Sequence, residues 1–386
     1  MSSSWVRWGL LAALAPACGG APQYATPKYD DAGACVGGAC GTSDDGPSED
    51  AAAACMPAVA SDAGASPRCL VVIASDRNDL VGFALDGASV FWTERPSGSY
   101  AVMRAPALGG PVRTVVTSDR RAVAIGGGSV FLNSGNGLVA TATADVGATM
   151  PYQGFGRNVA ASGSAVYVGT CSSNFGAVLV LPTSGAAPGT LAAVGCMNDL
   201  ALEGTTLYGA SIGGFMAGVA VYSANLWAWP LDGTPGAPLV EAAGGADGGA
   251  GDGGAGAEAG APPSAPYAPV GVAADATHVY WTERGHGLAI PPDGAVMKLP
   301  LGGGAPEVLV AGLHGPGDLA LDGDTLYWAN TDGRIMKVSV AGGAPTLLAD
   351  GQVDPLNVTV DATAVYWTNR GGVGAPQGAV LRLTPK

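Results

Sequence analysis

Short apolar runs alternate with tight polar turns along most of the chain, and one phrase of that pattern recurs. An apolar strand leads into an acidic or glycine turn, and the turn leads into an aromatic strand. The phrase reads FALDGASVFWTER from Phe83, VAIGGGSVFLNSG from Val123, VAASGSAVYVGTC from Val159 and LALEGTTLYGASI from Leu200. It continues as VAADATHVYWTER from Val272, LALDGDTLYWANT from Leu319 and VTVDATAVYWTNR from Val358. Third strands follow, such as AVMRAP from Ala101 and AVMKLP from Ala295, and then a fourth after a Gly- and Pro-containing turn (PVRTVV, APEVLVA, APTLLAD). Four short antiparallel strands with tight turns make one twisted blade, and a spacing of roughly 35 to 45 residues is the period of propeller blades. The runs are more apolar than a strand with one wet face would allow. In a propeller, neighbouring blades cover both faces, so Trp92, Trp281, Trp328 and Trp367 are expected in the core.

The last copy stops at Lys386 after its third strand. An orphan strand upstream of the first copy, GASPRCLVVIASD from Gly64, matches the fourth-strand phrase GGPVRTVVTSD from Gly109. It can complete the last blade and leave no open seam. The expected fold is therefore all-β: a seven-bladed β-propeller over 64–386, closed by an N-terminal strand, with six blades as the alternative.

Tyr280-Trp281-Thr282, Tyr366-Trp367-Thr368, Phe91-Trp92-Thr93 and Tyr327-Trp328-Ala329 resemble the YWTD repeats of low-density-lipoprotein-receptor-type propellers, which also occur in bacterial lipoproteins. Glu94, Glu283 and Asn369 stand where that family has Asp, and three copies lack the Trp. The resemblance implies the fold, and its family usually has six blades.

Composition then adds a compartment. With 63 Gly, 28 Pro and only 12% charged residues, the chain favours turns and strands over helices. A net charge of −14 argues against nucleic acid as a partner. Arg7, the apolar run Gly9 to Ala15 and the small residues before Cys18 read as an export signal over 1–17. Ala15-Pro16-Ala17-Cys18 resembles a lipobox, which implies lipidation of Cys18, attachment to the membrane through that anchor alone, and a place in the bacterial cell envelope. An ordinary secretory signal is the alternative. Residues 18–63 and an insertion at 244–266 are nearly all Ala, Gly, Asp, Ser and Pro, and read as a disordered tether and loop. Apart from Cys18 the chain has six cysteines. Cys171 and Cys196 fall on the same face of adjacent blades and are expected to form a disulfide, whereas the pairing of Cys35, Cys40, Cys55 and Cys69 stays open.

Three features could carry chemistry on the face shared by inter-blade loops and loops from second to third strands. Just before the innermost apolar runs stand Asn158, Asp199, Asp318 and Asn357, in a ring with Gly82, Ala122 and Gly271. Four oxygen-bearing side chains at a channel mouth could hold calcium, or could simply bond strand-end amides. Arg95, Arg284 and Arg370 follow the aromatic strands and could grip anions, or form solvated rim pairs with neighbours such as Glu94 and Glu283. The loop from Gly209 to Asn225 is long and apolar, with Phe215, Met216 and Tyr222, and suits either recognition or self-packing. No nucleophile motif is present, and no cofactor is expected unless the ring takes calcium. These features point first to a non-catalytic scaffold binding a protein or small molecule. A calcium-dependent hydrolase or lactonase and an envelope-assembly partner are the alternatives.

Overall fold

The computed structural model describes residues 68–241 and 269–386 apart from short loop stretches, together with three two-residue strands before them; over 116–158 and 212–225 it describes strand backbone only. The chain divides into two units, Met1–Ser48 and Glu49–Lys386. In the first, Lys28–Tyr29 pairs antiparallel with Cys35–Val36.

All described elements of the second unit are strands. They form seven sheets of four or five antiparallel strands, covering 82–118, 123–151, 156–194, 196–241, 269–313, 316–349, and 355–384 together with Cys69–Arg77. Strands run up and down in chain order within each sheet. A two-stranded hairpin, Gly214–Met216 with Val219–Val221, interrupts the sheet over 196–241. The first strand of each sheet lies beside the first strand of the next, and that of the last sheet, Pro355–Val360, lies beside Gly82–Asp86 of the first. That cyclic arrangement is a β-propeller. Six of the sheets have described side chains; the sheet over 123–151 is described by its backbone.

Packing explains why the aromatic strands lack the usual alternation. Tyr280 and Trp281 are consecutive and point to opposite faces, yet both are buried. Trp281 packs with Tyr208, Ala210 and Leu226 of the preceding blade. Tyr280 packs with Leu319, Leu326 and Trp328 of the following one. Trp92, Trp328 and Trp367 are equally enclosed, as expected of core residues. Such burial contributes on the order of 2–3 kcal/mol per large side chain.

The last sheet is closed by a strand that precedes the first blade. Cys69–Arg77 pairs antiparallel with Gly378–Thr384, with Val72 opposite Leu381 and Leu70 opposite Leu383. Val71, Ile73 and Ala74 of this strand are buried, and Ile73 joins a core that also holds Leu80, Trp92 and Tyr366. Met56–Pro57, within the stretch expected to be a tether, adds a fifth strand by pairing with Cys69–Leu70. The signal at 1–17, Cys18 and the insertion at 244–266 lie outside the described residues.

Starting the chain at Cys55 should leave its melting temperature close to that of the full chain, because the stretch removed after the signal is nearly all Ala, Gly, Asp, Ser and Pro and offers little apolar surface to bury. Starting it at Asn78 removes Val71 and Ile73 from the core and strips one edge of the last sheet. That truncation should cost about 4 kcal/mol or more by denaturant unfolding.

Candidate functional site

The polar ring sits on an irregularity that the innermost strands share. The pairing of innermost and second strand shifts register between Gly156 and Asn158, Met197 and Asp199, Pro269 and Val272, Pro316 and Leu319, and Pro355 and Val358. A bulge there re-aims side chains and takes backbone N–H groups out of the ladder. Such groups must find acceptors or cost roughly 1–3 kcal/mol each.

Ring carboxylates accept from those amides. Asp199 Oδ1 accepts from Leu200 N at 2.8 Å, and its Oδ2 accepts from Val272 N of the next blade at 2.9 Å. Asp318 repeats the arrangement, with Leu319 N at 2.9 Å and Val358 N of the next blade at 3.0 Å. Each carboxylate thus clasps two adjacent blades. Asn198 adds a bond from its amide to Pro269 O at 2.8 Å. Gly271 stands between the two aspartates because a Cβ there would lie 2.6 Å from Leu319 N and 3.0 Å from Asp318 Cα. Asn357 donates to Thr368 Oγ1 at 2.9 Å. Thr282, at the equivalent place, accepts from Gly271 N and donates to Gly317 O at 2.6 Å.

The electrostatics follow from depth. Burial lifts the Asp318 carboxyl to about 6 against the amide bonds that lower it. Asp199 lies well above the usual carboxylate range, first through burial and then through the neighbouring charge of Asp318. Among the described residues, no group of three or more His, Cys, Asp or Glu is placed to hold a metal ion. The structure therefore brings two ring carboxyls near one another and ties Asn357 to a threonine. The side chains of Asn158 and Ala122 lie outside the described residues.

The three arginines have different surroundings. Arg95 lies over the Tyr100 ring at 5.6 Å, and Arg284 is exposed. Arg370 pairs with the buried Asp79 at 3.0 Å, while its backbone carbonyl accepts from Leu80 N. This arginine locks the seam between last and first blades. Their acidic neighbours are not solvated rim charges either. Glu94 Oε2 accepts from Trp92 Nε1 at 3.0 Å, Glu283 Oε1 from Trp281 Nε1 at 3.1 Å, and Asn330 Oδ1 from Trp328 Nε1 at 3.0 Å. Two residues apart on a strand means the same face, so the residue after YWT or YWA reaches the indole of its own Trp. All three acceptors are buried. In the last sheet Gln352 Oε1 takes this part, accepting from Trp367 and from Asn369.

At the opposite end of the innermost strands lies an open cavity of about 470 Å³, with Glu203, Asp275 and Leu321 in its wall. Asp275 is engaged in a turn: its oxygens accept from Thr277 N, Thr277 Oγ1, His278 N and Tyr280 OH. Asp361 does the same with Thr363, Ala364 and Tyr366. Burial pushes both carboxyls up, but these hydrogen bonds prevail and leave them below the usual range. Cys69 is a free thiol, and Cys196 is disulfide-bonded; Cys171 lies outside the described residues, as do the side chains of Phe215, Met216 and Tyr222.

No family model and no curated protein matches the chain. Solved structures do. YCF48 bound to the D1 peptide aligns at TM-score 0.56 with 13% identity, covering 86% of this chain and 100% of that one. The Pan2 WD40 domain of Neurospora crassa aligns at 0.55 with 10% identity over 82% and 94%. A gluconolactonase from Xanthomonas campestris aligns at 0.50 with 11% identity over 86% and 96%. At these identities the likeness concerns the fold: the chain is a β-propeller of repeated blades.

Burial holds the Glu283 carboxyl above its ordinary value, opposed by the Trp281 N–H. Its contribution to stability is therefore complete below about pH 4 and is lost as pH rises through the folded value. Glu283→Gln keeps the acceptor and should flatten that part of the pH profile without loss of stability at neutral pH. Glu283→Ala leaves the indole unpaired and should cost about 1–3 kcal/mol in denaturant unfolding.

Proposed function

We propose that this chain is a non-catalytic binding scaffold, held at the bacterial cell envelope through a lipid on Cys18 and the tether at 18–63. Its ligand is a protein or peptide docking on the face that carries the inter-blade loops. The observation that carries this reading is the engagement of the polar ring. Asp199, Asp318, Asn357 and Arg370 are all bonded within the propeller, which suits a rigid platform better than a reaction centre. Arg284 is exposed on that face and offers an accessible charge to an acidic segment. The structural likeness to YCF48 with its bound peptide supports a peptide-like ligand, as an analogy of fold.

The enzymatic alternative makes the opposite forecast and can be tested with glucono-δ-lactone, with and without added calcium. The scaffold reading expects no hydrolysis above the uncatalysed rate, while turnover that falls on Asp199→Asn contradicts it. Peptides selected from a displayed library on the purified protein should be acidic and should bind about fivefold more weakly to the Arg284→Glu variant, the size of one exposed charge contact.

A further inference from the structure

Two copies of the repeat agree in sequence beyond their aromatic strands. Leu200-Ala201-Leu202-Glu203-Gly204 and Leu319-Ala320-Leu321-Asp322-Gly323 occupy the same part of their blades, and Leu-Tyr follows each turn. Their registers match: Ala201 pairs with Tyr208 as Ala320 does with Tyr327, and Glu203 with Thr206 as Asp322 does with Thr325. Gly204 and Gly323 turn the chain at φ of 54° and 56°. The blades that follow them match as well. Asp275 and Asp361 each accept from the hydroxyls of the next Thr and the next Tyr. Asp199 clasps the amide of Val272 as Asp318 clasps that of Val358. The junction between the sheets over 196–241 and 269–313 therefore repeats the junction between those over 316–349 and 355–384.

The second of these junctions holds an ammonium group. Lys386 Nζ is bonded to Asp322 Oδ2 and to the backbone carbonyl of Asp361, and lies 6.0 Å from the centre of the Tyr327 ring. A carboxylate, a carbonyl and an aromatic face together suit an alkylammonium, whose stem stays on apolar surface. At the first junction Glu203 and Asp275 stand in the places of Asp322 and Asp361, on the wall of the open cavity of about 470 Å³. Leu202, Ala274 and Leu321 add apolar wall, and Tyr208 takes the place of Tyr327. Burial pushes both tyrosine hydroxyls up, and the charge of Glu203 adds to this at Tyr208 as that of Asp322 does at Tyr327.

Among the described residues no basic side chain fills this cavity. The sheet over 196–241 contains no Lys, Arg or His, and Ala228 stands opposite Tyr208 where Lys337 stands opposite Tyr327. In the next sheet His278 Nδ1 meets Thr277 Oγ1 at 2.8 Å, and Lys298 pairs with Glu307 at 3.3 Å. Arg157, on the preceding innermost strand, has its side chain outside the described residues. It precedes Asn158 at the bulged end, as Asn198 precedes Asp199, whereas Glu203 ends its strand about 16 Å farther along. The oxygens of Asp275 are taken up in its turn, which leaves the exposed Glu203 as the open charge.

We propose that this cavity binds a primary alkylammonium group, presented by a partner as a lysine side chain. Glu203 is its counter-ion, the Asp275 carbonyl its second acceptor and the Tyr208 ring its flank. The site lies at the end of the innermost strands opposite the polar ring, so it is separate from the face assigned above to an acidic ligand.

Nuclear magnetic resonance on the full chain at about pH 7 reads the site through the amides of Gly204 and Asp275, with N-acetyl-lysine methylamide as the probe. Saturable shifts are expected at both amides. Glu203→Gln should weaken binding about fivefold, the size of one exposed charge contact. The norleucine derivative, which has the same stem without the ammonium, should give no such shifts. In Lys386→Gly the amides of Gly323 and Asp361 should report a second site of the same kind. Absence of shifts, shifts that norleucine reproduces, indifference to Glu203→Gln, or silence at Gly323 and Asp361 in Lys386→Gly would overturn the proposal. Binding of pentylamine but not of the lysine derivative would overturn its assignment to a partner's lysine.

Discussion

Unpaired backbone groups at the channel are the constraint on which the rest of this propeller depends. Innermost strands converge on an axis, and in five of the described sheets they enter it through a register shift. The amides released there sit deep in the protein, where an unmet N–H is costly. Asp199 and Asp318 meet that need twice each, once within their own blade and once in the next. Thr282 and Thr368 serve the blades whose ring position holds Gly271 and Asn357. Blade-to-blade register is thereby fixed by polar contacts at the axis and by interlocked aromatic faces farther out.

The same logic accounts for the outer part of each repeat. A Trp enclosed between two blades carries its indole N–H into an apolar layer, and the residue two positions on supplies the acceptor. The chain uses Glu94, Glu283 and Asn330 for this, and imports Gln352 in the last sheet. That last sheet also joins a strand from before the first blade to the final repeat. Its seam is held by Cys69–Arg77 on Gly378–Thr384 and by Arg370 on buried Asp79.

Repeat, strand order and ring closure were legible in the sequence because they rest on apolar periodicity, and the orphan strand at Gly64 matched a known phrase. Asp199 and Asp318 fall at one offset in the repeat, and they take equivalent places in their blades. Bonding to strand-end amides was one of the two readings open there, and the aspartates do bond such amides; that half of those amides belong to the next blade was not legible, since the bulges that free them leave no mark in composition. Glu94 and Glu283 stand beside Arg95 and Arg284 and suggest rim charges, yet they are buried. The signal that could have placed them is the spacing Trp-x-Glu or Trp-x-Asn, which puts an acceptor and an indole on one face of a strand. The turns Asp275-Ala276-Thr277 and Asp361-Ala362-Thr363 carried a comparable signal, each followed by a Tyr whose hydroxyl returns to the aspartate.

Asp199 and Asp318 each commit both carboxyl oxygens to backbone amides, which makes them part of the architecture of the ring. A high-resolution crystal structure from crystals grown with calcium tests this most directly. It should show Asp199 on the amides of Leu200 and Val272, Asp318 on those of Leu319 and Val358, and no cation between them. A calcium ion coordinated by Asp199, Asp318 and Asn357, with the Val272 and Val358 amides turned away, would contradict it.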